Sequence, residues 1–432
     1  MKHKWAFKKL SDVCDRIGDG LHGTPEYVDG GAYHFVNGNN LKDGYVSINE
    51  ATKAVGQEEF DAHRVELSES TLLLSINGTI GSMALYRGEP IVLGKSAAYI
   101  NCRDVDRRFC YYYFQLKGVN AAFYNIATGS TIKNLGLDSL KSFKLPIPPR
   151  DIQEQIAGLL SLIDAKIHLN NRINEELEGM AKLLYDYWFV QFDFPITAAQ
   201  AAAMKKPRLE GKPYRASGGK MVFNEALQRE IPDGWEESTL SYICDSVRDT
   251  IDPAVVDPAT PYVGLEHMPR RKFFLDAWEF ADSVKSLKSR FVKGDILFGK
   301  LRPYFHKVVK VAINGVCTSE LLVLRAREKQ FEGLVGSIVF SDLFVESTSK
   351  QWGGAQMPRA DWKRMEEFRF PLPPDDLLES FNVCILPLWK LGGANQRRVI
   401  GVRIAGIGTS SGEALSIESF TRLESAWIAR CC

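Results

Sequence analysis

The sequence predicts an α+β protein built from two similar modules, each mixed and β-rich, held apart by a long helix. Three observations lead there. The chain repeats itself after roughly 225–230 residues, one amphipathic run of about 37 residues has no break, and short β-rich runs alternate with turn residues elsewhere.

The repeat is read from its anchors. Trp5-Ala-Phe-Lys-Lys-Leu10-Ser-Asp-Val13-Cys14-Asp15 lines up with Trp235-Glu-Glu-Ser-Thr-Leu240-Ser-Tyr-Ile243-Cys244-Asp245. Phe35-Val36-Asn37 finds Tyr262-Val263-Gly264, the run Leu72 to Gly78 finds Asp295 to Lys300, and Gly94-Lys95-Ser96 finds Cys317-Thr318-Ser319. Thr128-Gly129-Ser130-Thr131-Ile132 matches Gly353-Gly354-Ala355-Gln356-Met357. Each unit leaves through prolines, Leu145-Pro146-Ile-Pro148-Pro149 against Phe370-Pro371-Leu-Pro373-Pro374. The anchors are apolar or turn-forming while the polar residues between them diverge, the pattern of one scaffold carrying two surfaces. Duplication with drift and no division of labour is the plainer alternative. Within the modules, Thr71–Ile76, Ile91–Leu93, Asp295–Phe298 and Val308–Ile313 read as strands, with helical patterns near Asp106–Leu116 and Glu332–Phe344.

After each Pro-Pro pair comes a helix start, Asp151-Ile-Gln-Glu154 and Asp376-Leu-Leu-Glu379, with an acid where an N-cap belongs. In the first copy, apolar residues recur at 152, 156, 159, 163, 167, 173, 177, 180, 184 and 188. Such steps of three and four describe an amphipathic helix with a helical partner, roughly 55–60 Å long. Ile156, Leu159, Ile163, Ile167, Leu177, Leu184 and Trp188 are its expected packing residues, and an aromatic cluster through Phe194 ends it. The second copy follows the first to Asn395-Gln396-Arg397, opposite Asn170-Asn171-Arg172. The Gly-rich stretch from Val399 to Gly412 then forms helix poorly. The expected divisions are module one at 1–149, the spacer helix at 150–195 and a linker at 196–223. Module two follows at 224–374, then the start of a second helix at 375–398 and an atypical, truncated or frameshifted tail at 399–432.

Bulk properties set outer limits. With 432 residues, 45% hydrophobic and 25% charged, the chain suits two globular domains rather than a disordered or fibrous protein. A net charge of +1 gives no global basic footprint for nucleic acid, leaving only local patches. Cys14, Cys102, Cys110, Cys244, Cys317, Cys384, Cys431 and Cys432 form no CxxC pair, so no metal site is expected and the thiols read as core residues. No stretch is apolar enough for a signal peptide or a membrane span, which points to the reducing cytoplasm.

The order of parts resembles the specificity subunit of type I restriction–modification systems. The matching pieces are Trp5…Leu10-Ser-Asp, Thr128-Gly-Ser-Thr-Ile-Lys-Asn134, Leu145-Pro-Ile-Pro-Pro149 with Gln153-Glu-Gln-Ile156, Leu184-Tyr-Asp-Tyr-Trp-Phe-Val190 and Ile231-Pro232-Asp-Gly-Trp235. The resemblance runs over about residues 1–397. It implies two target-recognition domains and two long helices paired as an antiparallel coiled coil, with the second helix here expected to be truncated or degenerate. It implies a bipartite, asymmetric site in double-stranded DNA, one half per domain, with the helices setting the spacer. Two modification (methyltransferase) subunits using S-adenosylmethionine would dock on the helices and methylate adenine. Restriction (translocase–nuclease) subunits, using ATP and Mg, would join them.

No catalytic constellation is expected in this chain. The adenine-methyltransferase motif Asn/Asp-Pro-Pro-Phe/Tyr is absent, and Gly294-Asp-Ile-Leu-Phe-Gly299-Lys300 lacks the Ser/Thr that a phosphate loop needs, with Leu301 in its place. Base reading calls for paired donors and acceptors on polar loops. In module one these are Asn37, Asn39, Asn40, Asn77, Thr79, Lys95, Ser96, Ser130, Thr131, Lys133 and Asn134. In module two they are His267, Arg270, Arg271, Lys272, Lys300, Arg302, Tyr304, Ser319, Trp352, Gln356 and Arg359. Any one of them can equally be a solvated turn residue. Arg270-Arg271-Lys272 suits a phosphate clamp better than a base reader. The rival readings are a self-sufficient nuclease or methyltransferase with a fused reader, and a protein scaffold without DNA.

Overall fold

The computed structural model describes residues 5–130, 132–275, 277–350 and 358–406. The chain forms two compact units, one up to Ala165 and the other spanning Lys166–Val402.

In the first unit, a four-stranded antiparallel sheet runs in the order Cys14–Asp19, Ala97–Cys102, Thr71–Ser75, Met83–Leu85. Thr71–Ser75 and Ala97–Cys102 are buried along their whole length, which explains why the first reads as a continuous apolar run rather than an alternating one. A second sheet places Tyr33–Val36 between Ala54–Val55 and Ile91–Leu93, the last pair running parallel. Helix Arg107–Gln115 starts at Asp106, whose side chain accepts from the backbone N–H of Arg108, and it buries Phe109, Tyr113 and Phe114 against the sheet. Ala6–Lys9 pairs antiparallel with Lys144–Ile147, so the chain enters and leaves the module side by side.

The second unit repeats this plan. Its sheet order is Cys244–Val247, Leu321–Ala326, Ile296–Gly299, Val308–Lys310. Glu236–Thr239 closes on Arg369–Leu372, as Ala6–Lys9 closes on Lys144–Ile147. Pro261–Val263 lies parallel to Gly315–Cys317, as Tyr33–Val36 lies to Ile91–Leu93. The backbone bonds correct one sequence anchor by a residue. Gly94 N–H donates to Val36 and Thr318 N–H to Val263, so Gly94 corresponds to Thr318 and not to Cys317.

The spacer helix spans Arg150–Tyr185, 36 residues, and ends in a π-helical turn at Asp186–Val190. Within the second unit its C-terminal half meets the second long helix, Asp375–Gly406. Trp188 packs tilted and Phe189 edge-on against Phe381, at 5.4 and 4.9 Å between ring centres, and the Asn395 amide reaches Asn174 at 3.4 Å. The two contacts lie equally far apart on each helix and in opposite chain directions, so the helices run antiparallel. Phe192, Phe194, Tyr214 and Trp235 extend the aromatic core beyond the helix end.

Three sequence expectations change here. The second helix does not stop at residue 398 but continues to Gly406, despite Pro387 inside it and a run of poor helix formers. Extending a helix that already exists costs far less than starting one, and Gly392, Gly393, Asn395 and Gln396 sit in tight or buried surroundings just before the expected break. The rest of the tail, 407–432, lies outside the described residues. The packing stripe also divides. Leu177 and Trp188 are buried, Ile156 and Leu184 pack partly buried on the cores, and Ile163 and Ile167 are half-buried. Leu159 is 61% exposed, so it belongs to an outer face. Of the thiols, Cys14, Cys102, Cys110, Cys244 and Cys317 are buried, whereas Cys384 is exposed and so is not a core residue. Among the described residues no helix is long and apolar enough to cross a membrane.

Candidate nucleic-acid interface

In the first unit four separate loops meet at one end of the sheet. Ile76 N–H donates to Ser96 and Leu135 N–H to Ile76. Asn77 bridges to Asn134, which in turn pairs with Thr128. Gly38 N–H donates to Ser96 Oγ at 2.9 Å, bringing the 37–40 turn alongside. The candidates of module one therefore share a rim, although they are scattered in sequence.

They do not share a job. Ser96 Oγ donates to Asn37 Oδ1 at 2.8 Å. Asn40 Oδ1 accepts from Asn37 N–H at 3.0 Å, while its Nδ2 donates to Ser47 O at 3.1 Å. Asn37, Asn40 and Ser96 are thus turned inward and build the turn, because a short turn leaves backbone groups that a nearby amide satisfies. An amide used in this way no longer offers a free donor–acceptor edge. Thr79 Oγ1 bonds Ser75 Oγ at 2.9 Å at the start of the hairpin connection but remains exposed. Asn39, Lys95, Ser130, Lys133 and Asn134 are exposed, and Asn77 is half-buried. Thr131 lies outside the described residues.

The second unit repeats the turn with different chemistry. Gly264 N–H donates to His267 Nδ1 at 2.9 Å, the bond Asn37 N–H makes to Asn40 in the first. His267, only 10% exposed, is therefore a turn-builder. The basic run is also largely engaged. Arg270 lies 3.8 Å from the centre of the Phe305 ring, a cation–π distance. Arg271 bonds Asp342 at 2.9 Å, and Lys272 bonds Glu175 on the spacer helix at 3.1 Å. As a phosphate clamp, Arg271 and Lys272 would have to leave these carboxylates.

The hairpin connection between Ile296–Gly299 and Val308–Lys310 carries Lys300, Arg302 and Tyr304. Tyr304 is 50% exposed and packs edge-on against Phe305, while Lys300 and Arg302 are half-buried. Arg359, exposed, pairs with Glu320 at 2.5 Å beside the exposed Ser319, and Arg302 N–H donates to Pro358 at 2.9 Å, closing the rim. Trp352 and Gln356 lie outside the described residues.

Three groups carry weight here that no local sequence pattern signals. Asp342 meets Lys182 at 2.6 Å, Arg271 at 2.9 Å and His306 Nδ1 at 3.3 Å. The bond from Lys182, with Arg271 behind it, holds the Asp342 carboxyl below its ordinary value against the opposing effect of burial. Burial pulls the His306 imidazole below its ordinary value, with Asp342 opposing. Glu178, on the spacer helix, accepts from the backbone N–H groups of Phe273 and Phe274 at 2.8 and 3.1 Å. Burial pushes its carboxyl up to about 7 in spite of those bonds and of Lys272. Among the described residues no group of three or more His, Cys, Asp or Glu is arranged to hold a metal ion.

Comparison with known proteins gives this arrangement a lineage. Residues 2–179 match the type I restriction modification DNA specificity domain. The type I restriction enzyme MjaIX specificity subunit of Methanocaldococcus jannaschii is 23% identical over 421 residues, covering 92% of this chain and 89% of that protein. Along most of its length the chain is thus similar to type I restriction–modification specificity subunits. The HindI specificity subunit of Haemophilus influenzae is 34% identical over 110 residues, 25% of this chain and 24% of that one. The crystal structure of a type I restriction–modification S subunit from M. genitalium shares the fold with a TM-score of 0.55 at 15% identity, covering 94% of this chain and 95% of that chain.

Proposed function

We propose that this specificity subunit reads one bipartite, asymmetric site in double-stranded DNA, each module taking one half. The observation that supports this most is the pairing of one scaffold with two unlike rims. The sheet orders and closing strands coincide. The rims present Asn39, Lys95, Ser130, Lys133 and Asn134 in one unit and Arg270, Arg302, Tyr304, Ser319 and Arg359 in the other. A duplicated scaffold needs no such divergence for stability, whereas reading two different base sequences requires it.

The chain itself is non-catalytic in this reading. Adenine methylation belongs to two modification subunits that use S-adenosylmethionine, and cleavage to restriction subunits that use ATP and Mg. The spacer helix supports their docking. Leu162, Leu169 and Leu183, at heptad spacing, are 55–71% exposed, and Leu159 and Met180 extend the same outer stripe. The exposed Glu176 stands at the heptad position between Leu169 and Leu183, so the stripe divides into two short apolar patches, each a face that another helix can cover.

The test is selection by the purified chain, with its modification subunits, from duplexes carrying two randomised blocks at varied spacing. The reading requires two fixed blocks at one preferred spacing, and binding that weakens steeply with salt as phosphates are neutralised. Enrichment of a single block, or of none, refutes it.

A further inference from the structure

The hairpin connection at 300–307 has a backbone its residue types do not favour. Seven non-glycine residues have positive φ among those described, and Arg271, Arg302 and His306 are three of them, at 54°, 50° and 51°. Left-handed backbone crowds any Cβ, which is why glycine usually holds such positions. The first unit shows the alternative. Its matching connection, between Thr71–Ser75 and Met83–Leu85, makes the same kind of turn with Gly78 and Gly81 at φ 74° and 93°. The second unit has kept side chains where glycine would be easier. Strain of this kind persists only where the surroundings hold it, and it gathers at functional sites.

The surroundings here are specific. His306 is held through its backbone and one ring nitrogen. Its N–H donates to Pro303 O, and its own carbonyl accepts from Arg271 N–H. Its Nε2 lies 2.9 Å from Phe340 O, and since a carbonyl only accepts, that nitrogen carries the proton. Its Nδ1, left without a hydrogen-bond partner, lies 3.3 Å from Asp342 Oδ1. Asp342 opens helix Asp342–Lys350 and also binds Lys182 of the spacer helix and Arg271. The Asp342 carboxylate thus joins the spacer helix to the strained Arg271, whose backbone N–H bonds His306 O at the root of the exposed hairpin. Phe305, next to His306, carries Arg270 on its face and Tyr304 at its edge.

We propose that Asp342 and His306 are positioning residues that fix the Arg302–Phe305 segment as the base-reading loop of the second module and couple it to the spacer helix. The inference rests on the DNA-reading function proposed above. Neither residue touches DNA; they act through the loop. Arg302 and Tyr304 are the groups they present, and the identity of the second half-site depends on that presentation.

The test uses the full chain with its modification subunits, a pool of duplexes randomised in both blocks, and the variants D342N and H306G. D342N keeps the shape of the carboxylate and removes its charge. H306G keeps the left-handed backbone and removes the ring. Both are expected to relax discrimination at the second block on the order of tenfold or more, with the first block unchanged and the salt dependence of overall binding unchanged. D342E, restoring the charge, should recover part of the discrimination. Unchanged selection at both blocks overturns the inference. Loss at both blocks together with a fall in Tm also overturns it, since the hub would then be a general folding element. If the wild-type chain selects no sequence, the DNA-reading function fails instead. Amide exchange then decides the hub by itself: faster exchange across 300–307 in D342N supports it, and unaltered exchange overturns it.

Discussion

Glu178→Gln is the most informative stability test of the way the spacer helix grips the second module. The Glu178 carboxyl is raised from 4.5 to about 7, chiefly by burial, with Glu175 adding to the rise and Lys272 and the N–H groups of Phe273 and Phe274 opposing it. A group raised in the folded state binds more protons there than in the unfolded chain, so stability falls as pH rises between the two values. The contribution is full below pH 4.5, declines up to about pH 7 and is flat above it. At about 1.4 kcal/mol per pH unit, the loss between pH 5 and pH 8 is on the order of 2–3 kcal/mol. Glutamine imitates the protonated form, keeps an oxygen for the two backbone donors and cannot ionise. The difference between wild type and variant isolates this group from everything else that titrates. Urea unfolding followed by tryptophan fluorescence, at half-unit steps of pH, reads it directly. The variant should gain on the wild type across that window and hold the gain at higher pH. Parallel pH profiles for the two proteins would refute the argument.

Other perturbations follow from the same packing. Phe381→Ala removes the ring against which Trp188 and Phe189 pack at 5.4 and 4.9 Å, and should cost about 3–5 kcal/mol in chemical denaturation. Gly336→Ala would put a Cβ 2.3 Å from Trp389, where the helices Glu332–Phe340 and Asp375–Gly406 pack closely, and should cost about 1–3 kcal/mol in the same assay. Changing Leu162, Leu169 and Leu183 to serine should alter the stability of the isolated chain by no more than about 0.5 kcal/mol each, because all three are exposed. The same changes should weaken assembly with the modification subunit in sedimentation or calorimetric titration. Undiminished assembly would move the docking face elsewhere.

The scaffold was legible because it rests on apolar periodicity and on turns. Thr71–Ser75 is buried on both faces, and the apolar run Leu72-Leu73-Leu74 within it says so. The repeat anchors fall on the closing strand pairs and the sheet centres, where a side chain cannot drift without loss of packing. The rims were legible only as regions. Asn37, Asn40 and His267 look like base readers in sequence, yet Asn40 and His267 bond the backbone of their own turns and the Asn37 amide oxygen accepts from Ser96 Oγ. Whether a polar loop residue points outward is decided by which backbone group nearby lacks a partner, and periodicity does not carry that information. Arg271 and Lys272 were visible as charge, but their carboxylates, Asp342 and Glu175, are distant in sequence. The path of the second helix past residue 398 was missed for a related reason: propensity weighs each residue alone, while a helix already under way extends cheaply.

The central claim, that two unlike modules read two halves of one DNA site, is tested most directly by mapping methylated adenines genome-wide in a host that expresses this chain with its modification subunit. The account predicts one new motif made of two fixed blocks around an unspecified spacer. Grafting the 300–307 connection from another specificity subunit should then change one block and leave the other and the spacing intact. A new motif that is a single continuous block, or a graft that changes both halves together, would contradict it.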